Sequence, residues 1–403
     1  MVLVCFTPLG DLIKSVGMEI RVVLASQQDL TRVGPGTPAG ELLRRYWLPI
    51  APASEMTEEN PIKALHVLGE GLAMFRDKSG RIGLMQERCT HHAVMMYNGH
   101  VESDSLACPL HAWRFDLEGN CFVIAYREKV YPIAWANAVA YPVKRYAGML
   151  WAYMGPRPAP EFPRYEVLDR TDGRRRITVH PSRKRNWLDL VEDALQSEAG
   201  ESDGASTNFS LASDGIVREG NLENDPASGQ KLIFPVAFET DRSLCLRTPI
   251  DDAHTWEVIV EFIPDSEPMS VDPANEEPEV VYGQPDAAED PNAALRGFFF
   301  GTAEMKPPEV IKMSDEIKKV AMGGFFFDSP AEKPGGFFFD TPASALPVEP
   351  ERYAPPQQHS EDGVALFEAL LHHEIQQMQE GANPMGIVRE EQETPVEAGS
   401  AQS

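Results

Sequence analysis

Along the first 160 residues apolar and polar positions alternate in short runs, the period of half-buried strands. Residues 64–68, 72–75, 82–85, 114–116 and 149–153 each read as a β segment bounded by turn formers. Asp77-Lys78-Ser79-Gly80 is a hairpin-type turn ending in glycine. Ahead of these, Thr37-Pro38 supplies an N-cap and a first helical proline, which predicts a short helix over 41–46. Near the other end the period changes. Leu366, Phe367, Leu370, Leu371, Ile375 and Met378 fall on one stripe at helical spacing. Gly381 stands where a C′ glycine would end that helix, and Pro384 blocks its continuation.

Between the predicted strands lie two short metal-ligating loops, Cys89-Thr90-His91 and Cys108-Pro109-Leu110-His111. Each offers one thiolate and one imidazole. Two sulfurs and two nitrogens suit a Rieske [2Fe–2S] centre, in which histidines replace two cysteines on one iron. A Cys2His2 zinc site is the rival, although zinc fingers pair cysteine with cysteine and histidine with histidine. Trp113, Phe115, Asp116 and Gly119 follow the second loop in a W-x-F-D-x-x-G pattern, which favours the cluster. His92 reads as a surface neighbour, because adjacent side chains in an extended loop diverge. His100 reads as an exposed connection, and Trp113 as a packing lid. Ala112 is expected to bring only mild strain unless its φ is positive.

Outward from these loops the chain resembles the oxygenase subunits of the phthalate-dioxygenase-like group of Rieske non-haem iron ring-hydroxylating oxygenases. The likeness runs from Leu30-Thr31-Arg32-Val33-Gly34-Pro35 through Leu150-Trp151-Ala152-Tyr153-Met154-Gly155-Pro156. It returns at Asn186-Trp187-Leu188, at Asp251-Asp252-Ala253-His254-Thr255-Trp256 and at Asn383-Pro384-Met385-Gly386-Ile387-Val388-Arg389. The resemblance implies an α+β chain: an antiparallel β Rieske domain, then a helix-grip-like catalytic domain with a C-terminal helix. The corresponding spans are an N-terminal extension at 1–33, the Rieske domain at 34–160, the catalytic-type domain at 161–390 and a disordered tail at 391–403. It further implies a [2Fe–2S] cluster on Cys89, His91, Cys108 and His111, and a mononuclear Fe(II). NADH would supply electrons through a flavin/ferredoxin-type reductase, in a homotrimer or higher homo-oligomer acting with O2 on an aromatic acid. A Rieske electron-transfer protein with a decayed iron site is the alternative.

The ligands of that mononuclear iron are not found. Ala199 and Gly204 stand where the family's histidine pair would fall. His180, His254, His359, His372 and His373 do not rescue the site, and Glu198, Glu201 and Asp203 read as a solvated acidic loop. The likeness lapses again over 265–360, through remodelling or a local change of reading frame. The start of that span, 265–290, is acidic, proline-bearing and free of Lys and Arg, a linker or disordered composition. Beyond it a Gly–Phe–Phe–Phe unit recurs at irregular intervals, and Asp315, Asp328 and Asp340 are the candidate carboxylates. A carboxylate substrate needs a cationic anchor; Arg218, Arg242 and Arg247 lie in this half, each expected at the surface.

The net charge of −26 excludes nucleic-acid binding, which needs a basic surface. No apolar run is long enough to span a bilayer. Cys5, Cys121 and Cys245 have no framework spacing, which predicts reduced thiols and a cytoplasmic setting.

Overall fold

Short hairpins build the N-terminal half, as the alternation predicts. Helix α1 (Pro38–Leu43) leads into β1 (Trp47–Pro52), β2 (Ile62–Val67), β3 (Glu70–Arg76) and β4 (Ile82–Gln86). There follow β5 (His100–Glu102), β6 (Ser105–Ala107), β7 (Arg114–Phe115), β8 (Cys121–Ile124) and β9 (Val130–Pro132). The half closes with β10 (Ala140–Tyr141), β11 (Val143–Tyr146) and β12 (Met149–Tyr153). These strands form a four-stranded sheet β10-β4-β3-β2, a five-stranded sheet β5-β6-β7-β8-β9 and a three-stranded sheet β1-β12-β11. The computed structural model describes residues 30–124, 129–196, 208–219, 230–264, 273, 276–283 and 359–389. All of these belong to the unit Met1–Gly301, Tyr353–Ser403.

The second half is one large sheet with helices on a face. It comprises α2 (Glu166–Asp169), β13 (Gly173–Arg183), α3 (Trp187–Gln196), β14 (Asn208–Ala212), β15 (Gly215–Glu219) and β16 (Lys231–Ile233). Then come β17 (Ala237–Glu239), β18 (Ser243–Pro249), β19 (Thr255–Pro264), β20 (Glu279–Tyr282), β21 (His359–Ser360) and α4 (Gly363–Gln379). The strand order is β20-β13-β19-β18-β17-β16-β15-β14-β21, antiparallel except for the β13–β20 pair. An antiparallel β half carrying the ligand loops, followed by a sheet-rich half with a C-terminal helix, is the fold class that the resemblance implies.

Two hydrophobic clusters divide the large sheet's faces. Leu244, Leu246, Val258, Val260 and Phe262 bury against Trp151, Tyr165 and Leu168 on one side. On the other, Phe209, Ile216, Leu232 and Phe238 pack under Leu366, Phe367, Leu370 and Leu371 of α4 and Trp187 and Val191 of α3. Each fully buried tryptophan contributes about 4–6 kcal/mol of transfer free energy. All six stripe residues of α4 are buried. Asp362 caps the helix by accepting from the backbone N–H groups of Val364 and Ala365, and Gly381 takes φ +90° beyond its end.

Two expectations change. Helix α1 runs over Pro38–Leu43 rather than 41–46, because the Thr37 hydroxyl accepts from the Gly40 N–H and starts the first turn at Pro38. The acidic stretch is not wholly linker: Glu279–Tyr282 is a strand. The buried Glu276 carboxylate pairs with the Arg175 guanidinium, and Glu279 lies 3.0 Å from Arg176. The segment's acidity is matched by an arginine run on β13, about a hundred residues earlier.

Candidate metal centre

The two ligand loops close by the same pair of backbone hydrogen bonds. The Cys89 N–H donates to the Val94 carbonyl at 2.8 Å and the Ala93 N–H returns to the Cys89 carbonyl at 2.9 Å. In the second loop Cys108 N–H donates to Trp113 O at 2.7 Å and Ala112 N–H to Cys108 O at 3.0 Å. The alanine four residues after each cysteine takes a left-handed conformation, with φ 55° at Ala93 and 56° at Ala112. Ala112 is therefore not mildly strained; a Cβ in this region costs about 1–2 kcal/mol. Both loops meet that cost to fold each tip back over its own cysteine.

The sulfurs face inward. Cys89 is 3% exposed and Cys108 2%, in a core cluster with Phe75, Leu106 and Phe115. The Cys89 thiol donates a hydrogen bond to the Cys108 sulfur. That bond pushes Cys89 upward and brings Cys108 down to about 6, readying one sulfur as a thiolate. Burial holds the neighbouring Cys121 thiol up at about 12, so it stays protonated.

The two imidazoles differ in exposure: His91 is half-buried, with its Nε2 atom buried. His91 and His111 have ring centroids 4.9 Å apart, and His111 is exposed. Trp113 lies flat on His91 at 4.1 Å with 3° between planes, and Trp135 meets it edge-on at 5.7 Å. Trp113 is 9% exposed, a lid as expected, whereas Trp135 is 75% exposed. The Thr90 hydroxyl ties the first loop to the Ala136 carbonyl at 2.6 Å. His100 is exposed and lies 3.3 Å from Glu102.

His92 departs from expectation. Its ring does not diverge from its neighbour's but sits 3.8 Å from that of His91 and 5.2 Å from that of His111. Matching the loops through their hydrogen bonds explains this: His92 and His111 each stand three residues after the loop's cysteine. Among the described residues, His91, His92 and His111 form a group whose ligand atoms all lie within 4.8 Å of one another.

The large sheet holds a second polar centre on its helix-covered face. Arg247 Nε donates to Glu257 Oε2 at 3.0 Å, and Arg183 Nη2 lies 2.9 Å from Glu257 Oε1. The Arg247 guanidinium also stacks 4.9 Å from the Phe238 ring centroid. Burial alone would raise the Glu257 carboxyl, but Arg247 and then Arg183 outweigh it and hold it below the usual carboxylate range. Burial keeps the adjacent Cys245 thiol up at about 12. Arg218 is 4% exposed and Arg247 8%, so neither is the surface arginine expected; Arg242 is exposed. The Arg247 Nη1 atom is buried with no hydrogen-bond partner. Both guanidiniums converge on the one Glu257 carboxylate beneath the helices. The sequence signal missed here was Arg247 at an alternating position inside an apolar strand.

Among the described residues the other candidates do not gather into a metal site. His254 Nδ1 lies 2.9 Å from Asp251 in the turn before β19, and His180, His359, His372 and His373 sit on separate stretches of strand and helix. Glu198, Ala199, Glu201, Asp203, Gly204, Asp315, Asp328, Asp340 and the Phe-rich repeats lie outside the described residues. The described residues of the second half therefore supply no donor set that fits a mononuclear iron.

Residues 46–139 match the family described as the Rieske [2Fe–2S] domain. Over 176 residues the chain is 43% identical to the 5,5'-dehydrodivanillate O-demethylase oxygenase subunit of Sphingobium sp. (strain NBRC 103272 / SYK-6), covering 42% of this chain and 41% of that protein. Over 242 residues it is 34% identical to the 3-chlorobenzoate-3,4-dioxygenase oxygenase subunit of Comamonas testosteroni, covering 59% and 54%. The chain thus spans about half the length of the curated relatives it matches. Among solved structures, the Pseudomonas putida CBB5 NdmA QL mutant with caffeine superposes with a TM-score of 0.51 at 12% identity, covering 89% of this chain and 100% of that one, a likeness of fold alone. These matches support the resemblance to ring-hydroxylating oxygenase α-subunits, and a [2Fe–2S] cluster in the domain that carries the two loops.

Proposed function

We propose that this chain is the oxygenase component of a multicomponent Rieske system that hydroxylates an aromatic carboxylate. The observation that carries the reading is the pairing of two matched Cys/His loops with a buried, partly unsatisfied arginine in the second half. Cys89 and Cys108 would hold one iron of the cluster, and His91 and His111 the other. The donor set fits: two buried sulfurs in hydrogen-bond contact, with two imidazoles beside each other, one half-buried and one exposed. When bound, the cluster supplies one-electron transfer at a potential that nitrogen ligation raises, in the broad range of roughly −150 to +300 mV.

The chain's own residues then have separate tasks. Trp113 covers His91 and keeps water from the inner side of the loops. Arg247, aligned by Glu257 and backed by Phe238, would donate to the substrate carboxylate through its unpaired Nη1. Helices α3 and α4 cover the same face and lower its water content, which strengthens the contact. The substrate class also draws support from the named relatives, whose substrates include a chlorobenzoate and a divanillate. Electrons would come from NADH through a flavin/ferredoxin-type reductase, and the assembly would be a homotrimer or higher homo-oligomer. The boundaries 34–160 and 161–390 belong to this reading. Among the described residues no helix is long and apolar enough to cross a membrane, and the proposal sets the protein in the cytoplasm.

Ala199 and Gly204, where a histidine pair would stand, favour a second reading: a Rieske electron-transfer protein with a decayed iron site. Iron and acid-labile sulfide analysis separates the two. About three irons per chain, with oxygen uptake driven by reductase, NADH and an aromatic acid, is expected of the oxygenase. Two irons without oxygen uptake would establish the electron-transfer reading instead.

A further inference from the structure

A second concentration of arginine lies at the far end of the cluster-bearing hairpins. Arg76, Arg81, Arg145 and Arg157 line one cavity of about 490 Å³, together with a single acidic residue, Glu118. In a chain of net charge −26 this local excess of cations runs against the composition. The carboxylates near it do little to offset the charge. Arg76 reaches Glu58 at 3.5 Å and Arg145 reaches Glu277 at 3.2 Å, but those glutamate side chains are 80% and 83% exposed. Ion pairs so open to water contribute little. Arg81 is held by the buried Asp77 at 2.8 Å. Arg157 donates to the Ala140 carbonyl at 3.2 Å and, among the described residues, forms no ion pair.

Beside Tyr141, much of the remaining wall is apolar: Met56, Ile82, Leu117 and Leu150 face the same space. A cavity of this volume takes a small molecule rather than a single inorganic ion. Guanidinium forks read planar or tetrahedral oxyanions two oxygens at a time. We propose that the cavity binds a small organic anion with an apolar body, carrying carboxylate or phosphate groups, at a site separate from Arg247. Its position gives binding a route to the cluster loops. Ile82 at one end of β4 lines the cavity, and Gln86 at the other end leads directly to Cys89. Leu117 sits in the turn that follows the second loop and β7. An occupant would brace both strands that position the sulfurs, so the site is suited to an effector.

The test is calorimetric titration of the full chain, loaded with its cluster, against phthalate, phenyl phosphate and inorganic phosphate. Wild-type protein and the Arg247→Met variant should both bind phthalate or phenyl phosphate. In the Arg247→Met background, which lacks the proposed substrate anchor, the Arg145→Gln/Arg157→Gln double variant should bind the same probe at least tenfold more weakly. Both substituted side chains are exposed, so folding should be retained; the visible spectrum of the cluster verifies it. Preference between phthalate and phenyl phosphate identifies which acidic group the site reads. Inorganic phosphate binding as tightly as phenyl phosphate would overturn the organic-anion assignment. So would unchanged binding in the double variant on the Arg247→Met background, or no binding of any probe by wild-type protein.

Discussion

The cluster loops and the helix-covered face of the large sheet both bury polar chemistry, yet they assemble it differently. In the loops, the donors come from residues 89–111, and each loop is closed by hydrogen bonds between residues four or five apart. On the sheet, Arg183 and Glu257 are separated by 74 residues and meet only because β13 pairs with β19, across a register shift between His180 and Arg183. The first site is a local property of its segments. The second is a property of the fold, and an error anywhere in the sheet would dissolve it.

The largest expected effect tests the local site. Cys108→Ser should abolish visible cluster absorption while far-ultraviolet dichroism stays that of the folded chain, because the loop is closed by backbone groups. Loss of both signals would show instead that the cluster, and not local hydrogen bonding, holds the loops.

A substitution in the non-local site comes next. Arg247→Met should raise the KM for an aromatic acid by about 10- to 100-fold, the worth of hydrogen bonds to a charged group. The kcat should change far less. An unchanged KM would remove Arg247 from substrate binding. Its partner Glu257 gives a smaller, pH-dependent effect. Its carboxyl is held below its unfolded value, so its stabilisation is present above a pH of about 4 and is lost as pH falls through the folded value. The stability difference between wild type and Glu257→Gln should therefore shrink in acid, as urea titrations at several pH values would reveal. A difference that grows in acid would contradict the assigned ion pair.

The smallest effect returns to the loops. Ala112→Gly should stabilise the protein by about 0.5–1 kcal/mol, because glycine relieves the left-handed strain at some entropic cost. Denaturant unfolding measures it, with Ala93→Gly as the matched case. Destabilisation by both would mean that the alanine methyls pack more favourably than their backbone is strained.

What was legible in the sequence follows the same divide. The strands around 64–85 and 149–153, the stripe of α4 and its glycine stop depend on neighbours within a few residues, and the structure places them where the pattern does. The hairpin at Leu68-Gly69 was not legible. Both residues have positive φ, at 50° and 74°, yet leucine carries none of the usual preference for that conformation. Glu276 and Arg247 were misjudged for a related reason. Composition marks a charge as exposed unless its partner is known, and here Arg175 lies 101 residues from Glu276 in the chain. The equivalence of His92 with His111 became visible only when the hydrogen bonds, rather than the C-x-H and C-x-x-H spacings, set the alignment.

The backbone closure of the two loops bears on speed as well as shape. Each loop is tied at both ends by amide–carbonyl bonds, and an indole lies flat against His91. A frame fixed in this way has little freedom to rearrange when the charge it encloses changes. The nuclear reorganisation that accompanies gain or loss of an electron should then be small. A small reorganisation energy lets transfer stay fast with modest driving force, and so leaves the potential free to be set by other needs.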